Sequence, residues 1–249
     1  MLQQVRRVGQ RAALYSTMRQ ETFGELQKAD GGGERYDVDF QRSEIVFSGR
    51  RPLTGRADLL ASIAVEPPSL LWGFSDFFAS NHGPHPAATR VRDFGQQHQL
   101  AELVHDEVPY ADQPLDDPTD AIVHLTHDVG MMGVEIFGPD HLYYSFKTGD
   151  AGSRMVVLVS GLSTDVAKPT LADALVKLPR LVPTVDDVEW SLGGLAALSG
   201  WRFDTRADSS PQQLYSRLTD ATGAWITVDV TRDELRRVTS VRVGGVNQL

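Results

Sequence analysis

The amino-acid sequence predicts an α+β protein of two units, each with helices packed on one face of a mainly antiparallel sheet. Three observations carry this. Apolar residues recur with the helical period in some stretches and alternate with polar residues in others. The alternating stretches are joined by short turn-forming segments, which favour antiparallel neighbours. The charge balance also changes along the chain: residues 1–165 hold 14 Lys and Arg against 23 Asp and Glu, whereas residues 166–249 hold ten of each. That change coincides with the punctuation of Gly161 and Pro169. The expected units are 1–163, a helix plus an antiparallel sheet with inserted helices, and 168–249, two helices followed by a three- or four-stranded antiparallel sheet.

The elements follow in order. Residues 3–27 read as an amphipathic helix with Val5, Val8, Ala12 and Tyr15 on one face and arginines on the other. Asp30-Gly31-Gly32-Gly33 ends it. Tyr36-Asp37-Val38-Asp39-Phe40 alternates, and with Ile45-Val46-Phe47 it forms a hairpin. A longer strand covers Ala57–Val65. Pro67-Pro68 stops that strand, and Leu70–Ser75 makes a fourth. Pro86 starts a helix reaching about Val104. A proline-rich acidic loop covers 106–118. A second helix, with the stripe Ile122, Leu125, Val129, Met132 and Ile136, ends at Gly138. Strands follow at Leu142–Lys147 and Arg154–Val159. Beyond Pro169 come helices at Thr170–Leu178 and Asp186–Leu198. Three or four strands then follow, at Trp201–Thr205, Gln213–Thr219, Ala224–Val230 and Val238–Val243, with Asp220–Gly223 as a hairpin turn.

Composition excludes several classes. The chain contains no cysteine, which rules out disulfide frameworks, thiolate zinc sites and cysteine nucleophiles. It fits a reducing cytoplasm, the expected location. No apolar run approaches the ~18 residues of a spanning helix, so no membrane association is expected. A net charge of -9 repels nucleic acid, so none is expected as a partner. The acid-free, arginine-bearing stretch before Glu21 resembles a transit peptide in composition, but its periodicity reads as a structural helix.

The strand Ala57–Val65, the run Leu70-Leu71-Trp72-Gly73-Phe74-Ser75-Asp76 and the helix with Arg90-Val91-Arg92-Asp93-Phe94-Gly95 resemble a bacterial family of uncharacterised proteins. That family carries a Trp-x-Trp-Gly-Trp-Ala-Asn strand followed by a helix with a mid-helix glycine. Here Leu70 stands at the first tryptophan, Phe74 at the third and Asp76 at the asparagine. The resemblance extends over about 10–160. It implies a fold unit and brings no catalytic residue with it.

The standard chemistries are missing. Gly31-Gly32-Gly33 follows a helix and precedes a strand, the reverse of a phosphate-binding loop. No Gly-x-Ser-x-Gly elbow occurs. Asp37 and Asp39 share a strand face that an exposed polar surface explains. All seven histidines fall between His82 and His141, and the stretch from Asp93 to Phe146 holds eleven acids and no Lys or Arg. Such a field suits a divalent ion. His124 and His127, three apart on a helix with Asp128 beside them, are the ligands if a metal binds, with His82, His85 or His105 as a third. The pattern lacks a hydrolase signature and also fits a solvated face, so no metal and no cofactor is expected. Aromatics provide the other candidates. Trp72 and Phe74 share a strand face around Gly73, where core and ligand site are both open. Trp225 falls on the less apolar face of its strand, near Tyr215 or Leu214 depending on register. The reading is a non-catalytic protein- or ligand-binding module, with self-association left open. A metal-dependent hydrolase using window 82–141 is the alternative.

Overall fold

A computed structural model describes residues 2–30, 35–83, 85–111, 118–149 and 152–245, with the side chains of residues 81 and 82 left aside. Six α-helices and eleven strands occur among them, the strands forming an antiparallel sheet of seven and another of four. The chain divides into two compact units. The first comprises residues 1–9 and 23–166, and the second comprises 10–22 and 167–249.

The first unit holds β1 (Tyr36–Asp39), β2 (Glu44–Phe47), β3 (Leu53–Ala64), β4 (Ser69–Trp72), β5 (Glu107–Pro109), β6 (Leu142–Thr148) and β7 (Ser153–Ser160). The long strand β3 organises the sheet. One of its edges pairs with β7; the other pairs first with β2 and then with β4, which in turn holds β5. The register between β3 and β7 slips between Leu59 and Ala61. A bulge of this kind breaks the period-two rule. It lets Leu60, Ala61 and Ile63 all join the core on the same side as Leu70, Trp72 and Leu158.

Helices α3 (Pro86–His98) and α4 (Thr119–Phe137) cover that side, through Ala88 and Val91 from α3 and Ile122, Leu125, Val129 and Met132 from α4. Helix α3 stops six residues before the sequence limit of Val104. Gln99 adopts a left-handed conformation (φ 57°), and its N–H and that of Leu100 bond back to Gln96 and Gly95. Two elements fall where the sequence shows none. The short helix α2 (Asp76–His82) follows β4, and β5 forms inside the acidic loop because β4 supplies its ladder. Residues 31–33 and 112–117, read as a helix stop and part of that loop, lie outside the described residues.

Helix α1 (Gln3–Ala29) belongs to both units. Its start has no side-chain cap from its own sequence. Instead the carboxylate of Glu102 accepts from the backbone N–H groups of Gln3, Gln4 and Val5 at 3.0, 2.7 and 3.0 Å. Those are orphan donors at the positive end of the helix, where an anion is favoured. Gln4 answers by accepting from the Glu102 N–H. Glu102→Ala therefore costs about 2 kcal/mol or more, read as a lower urea midpoint, while Glu102→Gln loses roughly half of that because it keeps one acceptor.

Within the second unit, residues 10–22 of α1 pack with α5 (Leu171–Leu181) and α6 (Val188–Ser199). The Ser191 hydroxyl donates to the Gln10 carbonyl, the Gln10 side chain accepts from the Asp186 N–H, and Glu21 pairs with Arg180 and Lys177. The arginine-bearing face of α1 is not uniformly solvated: Ala12–Ser16 are all buried, and so is Arg19, which lies alongside the Tyr15 ring. Sequence periodicity misses this because a helix buried all round needs no single apolar stripe. The sheet is a meander of β8 (Arg202–Thr205), β9 (Gln213–Thr219), β10 (Trp225–Arg232) and β11 (Val238–Gly245). Leu214, Leu218, Ile226, Val228 and Val230 are buried on one face, and the alternate residues form the outer face.

Candidate functional site

The face of the seven-stranded sheet away from α3 and α4 carries its own apolar cluster. Alternation places Tyr36 and Val38 of β1, Phe47 of β2, Leu71 of β4, Tyr144 and Phe146 of β6 and Met155 of β7 on this face. Cross-strand pairing sets Tyr36 opposite Phe47 and Phe146 opposite Met155. The rings form a connected layer. Tyr36 meets Tyr144 at 5.2 Å and Phe146 at 5.4 Å; Phe47 meets Tyr144 at 5.0 Å, and Phe40 meets Phe146 at 6.4 Å. These separations are those of edge-to-face and tilted pairs, each adding to what burial alone contributes.

The layer is half-buried. Phe47 is in the core, but Tyr36, Phe40, Leu71, Tyr144, Phe146 and Met155 keep part of their surface exposed. Phe23 and Leu26 from the end of α1, Phe78 from α2 and Leu162 and Val166 pack in the same cluster. His85 stands at its edge, nine-tenths buried, with Phe40 at 5.8 Å and Phe78 at 6.0 Å, both edge-on. The backbone N–H of His85 donates to Gly73, which fixes the ring's approach. The arrangement offers π-faces, ring edges and apolar area, with polar atoms from His85 and the two tyrosine hydroxyls.

The residues singled out from sequence fall in three places. Trp72 and Phe74 are core, stacked at 6.2 Å, with the Trp72 indole N–H donating to the Glu102 carbonyl at 2.8 Å. Gly73 marks a close backbone approach: a Cβ there would lie 2.9 Å from the Leu59 carbonyl oxygen and 3.0 Å from the Ala88 Cβ.

Trp225 and Tyr215 occupy the outer face of the second sheet but do not meet. Thr219 lies opposite Trp225, and Tyr215 lies opposite Asp229. Each ring is covered by an arginine, Arg217 over Trp225 at 5.7 Å and Arg206 over Tyr215 at 5.0 Å.

His124 is exposed on α4 and His127 only partly covered, on its Tyr143 side, whereas Asp128 is buried and faces Arg6 at 3.5 Å, so the three do not converge. His127 Nδ1 is instead hydrogen-bonded with the Tyr143 hydroxyl at 2.8 Å. Partial burial first, then the nearby His124 and Arg154, hold its pKa below the ordinary imidazole value. His85 belongs to the aromatic layer and His105 is exposed. The side chain of His82 lies outside the described residues. Among those residues, no group of three or more His, Asp or Glu side chains is placed to hold a metal ion.

The aromatic layer was only half visible in the sequence. The alternation of Tyr36, Val38 and Phe40 is there, and so is the opposition of Tyr143 and Tyr144. What is missing is that β1 and β6 come to share one face through β2, β3 and β7.

The fold and the aromatic layer define an α+β protein of two antiparallel sheets, one of which carries an aromatic face. Residues 6–162 match the model of a family of unknown function, DUF6882, and the chain belongs to that family. The matched stretch ends close to the boundary of the first unit, and it contains the whole aromatic layer. No curated protein and no solved structure matches the chain. No helix among the described residues is long and apolar enough to cross a membrane.

Proposed function

We propose that the first unit is a non-catalytic binding module whose ligand is a small apolar molecule held on the aromatic face of the seven-stranded sheet. The observation that carries this is the connected layer of Tyr36, Phe40, Tyr144 and Phe146, left half-exposed, whereas α3 and α4 cover the opposite face around Ile63, Leu70, Trp72 and Leu158. Ligand sites are mostly apolar and aromatic, with a few polar groups to fix orientation. The hydroxyl of half-buried Tyr36 is such a group here. A small molecule is the ligand proposed here, its apolar surface resting on rings that pack in one cluster with Phe23, Phe78 and Leu162. The hydrolase alternative gains nothing from the arrangement, since Asp128 is committed to Arg6 and turned away from both histidines.

The test is a titration of the full chain with the uncharged fluorophore N-phenyl-1-naphthylamine. Saturable binding is expected, with Tyr36→Ala/Phe146→Ala weakening it by about tenfold or more, equivalent to ~1.4 kcal/mol. Trp225→Ala is expected to leave it unchanged. Absent saturation, or an unaltered affinity in a double variant whose circular dichroism matches the wild type, overturns the reading. Light scattering on the same samples reads self-association separately.

A further inference from the structure

The second unit carries a different kind of site, outside the stretch matched by the family. At one end of the outer sheet face, where β8, β9 and β10 adjoin the Asp220–Gly223 turn, lies a hollow of about 470 Å³. Its lining includes Arg202, Arg217, Thr219, Asp220 and Trp225. Strand register brings them together: Thr219 pairs with Arg202 on one side and Trp225 on the other, and Arg217 lies two residues back on the same face.

Asp204 and one oxygen of Asp220 already accept hydrogen bonds. Asp204 accepts from Arg202 Nε at 2.9 Å and lies 3.8 Å from Arg217 Nη2. Asp220 accepts through one oxygen from the Thr222 N–H, the Thr222 hydroxyl and the Ala224 N–H. Each guanidinium has five donors, so one carboxylate shared between two of them leaves several N–H groups unused. The Thr219 hydroxyl points to the same need. It is buried and has no hydrogen-bond partner among the described residues, although a buried polar group usually has one. Trp225 adds a flat apolar wall, and Arg217 is already held over its ring. The charge balance of this part of the chain does not oppose a negative ligand. The net charge of -9 resides in residues 1–165, and residues 166–249 are balanced.

We propose that this hollow binds a small organic oxyanion, a carboxylate or phosphate on a flat group that rests against Trp225, with Arg202, Arg217 and the Thr219 hydroxyl as its donors. The size suits a ligand of a few rings at most, and planar guanidinium groups match both anions bidentately.

Calorimetric titration of the full chain with benzoate, phenyl phosphate and inorganic phosphate tests this and separates the two anions. Saturable binding of at least one flat probe is expected, tighter than that of inorganic phosphate. Arg202→Gln/Arg217→Gln is expected to weaken it by roughly tenfold or more. Trp225→Leu is expected to remove the advantage of the flat probes over inorganic phosphate. Thr219→Val changes only the hydroxyl at constant shape and keeps the test valid if the double variant loses stability; it too lowers affinity. No saturation by any probe up to about 10 mM, or binding indifferent to Arg202→Gln/Arg217→Gln and Thr219→Val, overturns the proposal. Tyr36→Ala/Phe146→Ala is expected to leave this binding intact, which separates the result from that at the aromatic site.

Discussion

Trp72→Ala is expected to destabilise the first unit by about 3–5 kcal/mol. Trp72 is fully buried between β3, α3 and the segment around Glu102, so its removal leaves a cavity in a close-packed core. It also withdraws the donor to the Glu102 carbonyl, and Glu102 is the residue whose carboxylate anchors the start of α1. Losing that part-buried hydrogen bond adds about 1 kcal/mol. The two contributions can be separated. Trp72→Phe keeps most of the ring volume and loses the N–H, so its smaller loss measures the polar part plus a modest cavity. Near-ultraviolet circular dichroism during urea unfolding reads both. A Trp72→Ala protein with a wild-type midpoint would show that the core around β4 is not close-packed.

Adjacent glycines on α6 are expected to respond in opposite directions. A Cβ on Gly194 would run into the backbone carbonyl of Arg11 on α1, and no side-chain rotation relieves that clash. Gly194→Ala must push the two helix backbones apart, disturbing the Ser191–Gln10 bond and the Arg11–Trp190 stack beside it. The expected loss is about 3 kcal/mol. At Gly193 the nearest atom to an added Cβ is a Phe203 ring carbon at 3.8 Å, an ordinary contact. Gly193→Ala should therefore express only helix propensity and stabilise by about 0.5–1 kcal/mol. Thermal midpoints of the two variants decide the matter. Equal shifts would mean that α6 does not pack on residues 10–22 of α1 as the structure has it.

The Gly-Gly pair illustrates what local sequence carries and what it does not. Two glycines in a helix weaken it equally by propensity, and only the neighbour across the packing interface distinguishes them. The same holds for the charged residues. Arg19 lies on what periodicity assigns to a solvated face, yet it is buried, and the carboxylate that caps α1 lies about a hundred residues away.

For the candidate sites the division is similar. That Tyr36 and Phe40 share a face, that Tyr144 opposes Tyr143, and that Trp225 lies away from Ile226 all follow from alternation. That Tyr36, Phe47, Tyr144 and Phe146 make one layer depends on strand pairings between distant segments. That Trp225 lies under Arg217 and beside Thr219, with Tyr215 further along, depends on register. Residue period is silent on both.

By itself, the sequence determined the α+β class, the antiparallel character of the strands, most element positions and the inward face of β10. These depend on backbone period and turn chemistry, which act over a few residues. The tertiary structure decided the rest. Helix α2 is only seven residues long, too short to hold on its own, and rests on the burial of Phe78. Strand β5 exists only through pairing with β4. The slip at Leu60 turns one end of β3 toward the helices against the strict alternation of its sequence. Each of these is fixed by contacts between residues far apart in the chain, whose free energy outweighs local preference and leaves no local period to read.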